Sequence, residues 1–224
     1  MVALDVPTRE QALELASATA EFVSHVKVGS RLFTAEGPEL VRELRGNGNG
    51  VFLDLKFHDI PNTVAEAAEA ATSLGVDFFD VHAAGGEEMM RAAVEASGAE
   101  AERLGIEKPR ILAITVLTSM PSTVHEVLAL AERARNAGAD GVVLSAWEAK
   151  AVREEMGSDF LIVTPGIRPS WAAKNDQRRV ATPDVAVANG ADYIVVGRPI
   201  TRAENPAEAA SMLLSEMSPA GVKG

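Results

Sequence analysis

The chain has 224 residues, a formal net charge of −11, 47% hydrophobic and 24% charged residues, and no cysteine. A chain of this size buries about 70% of its unfolded surface, enough for a core without staples. The missing cysteine excludes disulfides, iron–sulfur clusters and thiolate chemistry and suits a reducing cytoplasm, while the acidic balance repels nucleic acid polymers and anionic membranes. A small anionic ligand would need a locally basic pocket. No apolar run approaches the roughly 18 residues of a membrane span. The opening residues lack a basic stretch followed by an apolar core, so no signal peptide is expected.

The elements alternate along the chain. Residues 2–6 (VALDV) read as a strand, and Pro7-Thr8 starts a helix over 8–22. A strand at 25–29 (HVKVG) precedes a helix at 37–45, and a strand at 51–57 (VFLDLKF) precedes a helix at 62–74. Strands at 78–83, 110–117, 141–145 and 161–165 lead to helices at 86–104, 122–137, 147–156 and 182–189. The last strand, 193–197, leads to a helix at 206–217. Gly75, Gly105, Gly138 and Gly190 each fall between a helical pattern and a strand, where a left-handed cap is wanted. The strict βα rhythm predicts an α/β fold, a single-domain (β/α)8 TIM barrel over 1–217 with a flexible tail at 218–224. An open doubly wound sheet is the alternative, but it would leave edge strands to cover.

In such a barrel the chemistry lies at the C-terminal ends of the strands. Side-chain alternation places Leu53, Leu55 and Phe57 on one face of the third strand, under the helices. Asp54 and Lys56 then point into the barrel, where branched apolar residues are the norm. A buried salt bridge is one reading, but Asp59 follows at once and adds a second carboxylate near the lysine. Lys27 sits near the end of the second strand and Asp5 near the end of the first. Three adjacent strands thus aim charge at one mouth.

The phosphate signal lies after the last two strands: Thr164-Pro165-Gly166-Ile167-Arg168 and Gly197-Arg198-Pro199. Glycine lets backbone N–H groups approach an anion, and arginine adds a two-pronged charged donor. The polar stretch from Arg168 to Thr182 is long for a βα loop and reads as a lid. His25 reads as structural and His125 as solvated. Asp80 and His82 share a face of the fourth strand as half of a metal site or, better, as a hydrogen-bonded pair lining the site. No metal site is completed elsewhere, and neither a dinucleotide fingerprint nor a Walker loop is present.

These residues carry a resemblance. Asp54-Leu55-Lys56-Phe57-His58-Asp59-Ile60-Pro61-Asn62-Thr63 resembles the D-x-K-x-x-D-I-x-N-T signature of the orotidine 5′-phosphate decarboxylase family. Asp5 in ALDVP, Lys27 in VKVG, Thr118 in VLTSM, the GIRP stretch with Asp176-Gln177-Arg178, and Gly197-Arg198-Pro199-Ile200 follow its pattern in order. The D-x-K-x-x-D core alone is shared with related Mg²⁺-dependent phosphosugar decarboxylases and hexulose-phosphate synthases, which lack the DIPNT ending. The resemblance implies conversion of orotidine 5′-monophosphate (OMP) to uridine 5′-monophosphate (UMP), the last step of UMP synthesis, with no cofactor and no metal. It implies Lys56 as proton donor within a Lys27–Asp54–Lys56–Asp59 array. It also implies a homodimer in which Asp59 and Thr63 reach the partner's site. Asp5 and Lys27 would meet the ribose, Thr118 and Gln177 the base and phosphate, and Arg168, Gly197 and Arg198 the phosphate, with Pro165 lining the site. A metal-dependent phosphosugar enzyme and a non-catalytic phosphate binder remain the alternatives to decarboxylation.

Overall fold

A computed structural model describes residues 1–172 and 180–217. Eight parallel strands form one sheet in chain order. They are β1 (Val2–Ala3), β2 (His25–Gly29), β3 (Gly50–Phe57), β4 (Phe78–His82), β5 (Arg110–Ile114), β6 (Gly141–Val143), β7 (Leu161–Thr164) and β8 (Tyr193–Ile194). Val2 bridges Val196 in parallel, Ala3 N–H donates to the Val196 carbonyl at 2.8 Å, and Val196 N–H donates to the Met1 carbonyl at 3.0 Å. The last strand thereby returns to the first, and the sheet curls into a TIM-type barrel as the βα rhythm predicts.

The connecting helices are α1 (Arg9–Thr19), α2 (Ser30–Gly46), α3 (Pro61–Ser73), α4 (Gly86–Leu104), α5 (Val124–Asn136), α6 (Ala146–Met156), α7 (Pro183–Ala188), α8 (Arg198–Thr201) and α9 (Pro206–Met217). Their starts follow local chemistry. The Thr8 hydroxyl accepts from Gln11 N–H at 3.4 Å, and Thr123 and Glu126 form a reciprocal capping box on α5. That box moves the start of α5 two residues beyond the Pro121-Ser122 pair expected to open it. Gly75, Gly105, Gly138 and Gly190 have φ of 70°, 64°, 86° and 92°, the left-handed ends expected of them.

Strand alternation splits the core into two shells. Val51, Leu53, Phe79, Val81, Ile111 and Ala113 face outward under the helices. Phe52, Phe78, Leu112, Ile114, Val143, Val163 and Val195 fill the barrel interior. His25 closes the interior floor, with its ring edge-on to Phe78 at 5.0 Å and to Tyr193 at 5.8 Å. The packed floor leaves room for a ligand at the opposite, C-terminal mouth.

Several boundaries differ from the sequence reading. β1 ends at Ala3, β5 at Ile114 and β8 at Ile194, short of 6, 117 and 197. There the chain turns toward the mouth while the apolar pattern runs on. α2 begins at Ser30 rather than 37, because a helical turn precedes a kink at Gly37, φ 68°. The four-residue α8 was not expected. The expected tail, 218–224, lies outside the described residues.

Candidate active site

The mouth holds a cavity of about 780 Å³, within the range of small-molecule sites. Lys27, Lys56, Arg31, Arg168, Arg198 and Arg202 line it against Asp5, Asp54 and Asp80. A chain of net charge −11 thus concentrates positive charge at one place, as an anionic ligand requires.

One end of the cavity is a charged array. Lys27 projects from β2 with its side chain 12% exposed, and its Nζ donates to Asp54 Oδ2 at 2.7 Å. Asp5, just past β1, stands 3.8 Å from Lys27 on the far side. Lys56 Nζ donates to the other oxygen of Asp54. Burial alone would raise the Asp54 carboxyl, but Lys27 and Lys56 outweigh it and hold the group well below the usual carboxylate range. Burial likewise works against the Lys27 ammonium, yet Asp54 and Asp5 raise it above its ordinary value. Both partners are therefore ionised at neutral pH.

The inward pairing of Asp54 and Lys56 agrees with strand alternation, and Leu53, Leu55 and Phe57 pack on the outer shell. The backbone between them is irregular. Leu53 pairs with Phe79 and Phe57 with Val81, so residues 54–56 face Asp80 alone. Lys56 has φ 53°, the one positive φ of a non-glycine residue among those described. This conformation costs roughly 1–2 kcal/mol for an L-residue.

The other end is the glycine–arginine rim. Pro165, Gly166 and Arg168 follow β7, while Gly197 precedes α8 and Arg198 opens it. Gly166 has φ 77°, which lets the chain turn sharply beneath the mouth. Arg168 is 5% exposed and donates to the Ile167 carbonyl at 3.1 Å, so it forms the wall rather than a free arm. The Arg168 backbone N–H donates to the Ala181 carbonyl at 2.9 Å, which draws together the two ends of the long loop. Thr118, after β5, lines the cavity between the two ends.

Two expected residues stand apart. Asp59 is exposed and its carboxylate accepts from Ile60 N–H at 2.6 Å. Thr63, in the first turn of α3, is also exposed, and neither residue lines its own chain's cavity. Gln177, Lys174, Asp176, Arg178 and Arg179 of the expected lid lie outside the described residues. The Asp80–His82 pairing is corrected. Asp80 turns inward to the cavity, whereas the His82 ring lies 5.2 Å from His58. Reading strand ends for charge missed Arg31 and Arg202. Both follow strand-end glycine motifs, Gly29-Ser30-Arg31 and Gly197–Arg202, which a search one turn further on would have caught.

The fold and the cavity are those of a TIM-barrel enzyme whose mouth carries a charged array at one end and a glycine–arginine rim at the other. Residues 1–213 match the family model described as Orotidine 5′-phosphate decarboxylase / HUMPS family. The chain is 48% identical to the orotidine 5′-phosphate decarboxylase of Syntrophomonas wolfei, over 97% of this chain and 96% of that protein. It is 51% identical to the protein of the same name from Alkalilimnicola ehrlichii, over 97% and 95%. The crystal structure of orotidine 5′-phosphate decarboxylase from Lactobacillus acidophilus superposes with a TM-score of 0.84 at 39% identity, covering 97% of each chain. The chain belongs to the orotidine 5′-phosphate decarboxylase / HUMPS family.

Proposed function

We propose that this chain decarboxylates orotidine 5′-monophosphate to uridine 5′-monophosphate and CO₂, as a cytoplasmic homodimer and without a cofactor. The observation that carries the reading is Asp54 held between two lysines at one end of a cavity whose other end is a glycine–arginine rim. The 5′-phosphate is bound by Arg168, Gly197 and Arg198, and the resemblance adds Gln177, which lies outside the described residues. Asp5 and Lys27 take the ribose, and Thr118 and Pro165 lie along the base. The C6 carboxylate then falls against Asp54 and Lys56.

The bond from C6 to the carboxyl carbon breaks, and its electron pair stays on C6. That pair occupies an in-plane orbital which the ring carbonyls cannot delocalise. The Lys56 ammonium stabilises it as it forms and delivers a proton to C6. Lys56 is left as an amine and regains its proton from solvent. Asp54 keeps the lysine in place and presses on the departing carboxylate.

The resemblance expects chelators to be harmless. Mixing purified protein with OMP should give the ultraviolet change of OMP loss at the same rate with and without EDTA. Loss of that rate in chelator would move the chain to the metal-dependent branch of its family.

Asp59 and Thr63 lie outside their own cavity, which supports their donation to a partner's site across a two-fold axis. Lys56→Ala and Asp59→Ala should then complement each other. At full random exchange half the dimers are mixed, and each has one intact site, so about a quarter of wild-type activity should return. If subunits exchange and activity stays at the parental level, Asp59 acts within its own chain.

A further inference from the structure

We propose that Asp80 is a positioning residue that works as a neutral acid. Protonated on Oδ2, it donates to Asp54, while Oδ1 accepts from the backbone N–H of Lys56 and fixes that lysine at the reacting end.

The geometry of β3 makes such a group necessary. Residues 54–56 face Asp80 alone on β4, so the ladder has no carbonyl to offer the Lys56 N–H. Asp80 Oδ1 takes its place at 2.7 Å. The bond holds Lys56 in its left-handed conformation, φ 53°, and with it the direction of the side chain. Free of that bond, an L-residue relaxes toward negative φ.

The second oxygen sets the protonation state. Asp80 is 0% exposed, and its Oδ2 meets no hydrogen-bond donor. Its neighbour across the irregular stretch of β3 is the Asp54 carboxylate, which lines the same cavity. Two buried carboxylates cannot bond to each other unless one carries the proton. Asp54 is committed to both lysines, so the proton belongs to Asp80. Burial and then the Asp54 charge raise the Asp80 carboxyl well above its ordinary value, in keeping with this. The charged groups facing Asp80 are Asp54 and Lys56 on β3 and Lys27 on β2. On its other side β5 presents the apolar Leu112 and Ile114. On its own strand His82 turns to His58. A neutral Asp80 leaves the array one negative charge lighter, and Asp54 stays fully available to the lysines.

The kinetic part of this inference rests on the proposed decarboxylation; the spectroscopic part does not. Asp80→Leu fills the space without either hydrogen bond. It should lower kcat roughly tenfold or more while KM moves by less than about threefold. Asp80→Asn offers a carbonyl oxygen to Lys56 and an N–H to Asp54, so it should recover most of that loss. The wild-type rate should fall at alkaline pH as Asp80 ionises, and Asp80→Asn should lack that limb. Substrate-free wild-type protein should show the infrared stretch of a protonated carboxyl that Asp80→Asn removes. An Asp80→Asn variant as slow as Asp80→Leu, or no such band in the wild type, would overturn the assignment. If OMP is not turned over at all, the band alone decides whether Asp80 is neutral.

Discussion

Replacing Lys56 by alanine should abolish turnover while leaving the fold and UMP binding in place. Lys56 acts on charge that exists only as the C6 bond breaks. UMP carries no charge at C6, so the ground state gains little from the ammonium. A positioned proton donor contributes about 10²–10⁴-fold, and a preorganised charge at the same atom adds to it. The turnover number should therefore drop at least about 10³-fold, with the UMP dissociation constant within a few-fold of wild type. Asp54 would still hold Lys27 at 2.7 Å, so no carboxylate is left unpaired to unfold the barrel. A variant that kept a tenth of wild-type turnover would remove Lys56 from the role of proton donor.

Arg198→Ala should be the next most damaging change, though it acts at the other end of the substrate. A charged hydrogen bond to phosphate is worth about 1.5–3 kcal/mol, which at 1.36 kcal/mol per decade is roughly a ten- to a hundredfold loss in kcat/KM. The loss should appear in kcat as well as in KM, because binding energy from the unreacting phosphate is spent in orienting the reacting end. Two measurements separate this from simple anchoring. A substrate truncated at the phosphate should turn over slowly in the wild type and be partly rescued by phosphite dianion. Arg198→Ala should lose that rescue. Wild-type protein that shows no rescue at any phosphite concentration would make the phosphate a mere handle.

The contrast between β3 and its neighbours shows what a sequence can carry. The pattern Val51-Phe52-Leu53-Asp54-Leu55-Lys56 declares its two faces through residue type, and the barrel keeps both faces as read. The left-handed turn at Lys56 has no such mark. Lysine is not a residue that favours positive φ, and the hydrogen bond that meets its N–H comes from Asp80 on the next strand. The same holds for Asp80 itself. On β4 it reads as an alternating polar residue beside His82, and its placement opposite residues 54–56 depends on the register between two strands. The strand ends were overread for a related reason. Leu4 and Val196 continue the apolar pattern and are buried, but each keeps only isolated hydrogen bonds to the neighbouring strand, too few to extend β1 or β8. Asp59 and Thr63 were legible as motif members, and their exposure follows from a loop and helix start that lead away from the barrel axis.

Loss of CO₂ from OMP is coupled, in the proposed reaction, to proton delivery to C6 by Lys56. The most direct measurement runs OMP with the purified protein in deuterium oxide and follows both products. One CO₂ should appear for each UMP, with one deuterium at C6 of the UMP formed, and neither product from the Lys56→Ala variant. Binding of OMP without release of CO₂, or UMP formed at an undiminished rate by Lys56→Ala, would contradict it.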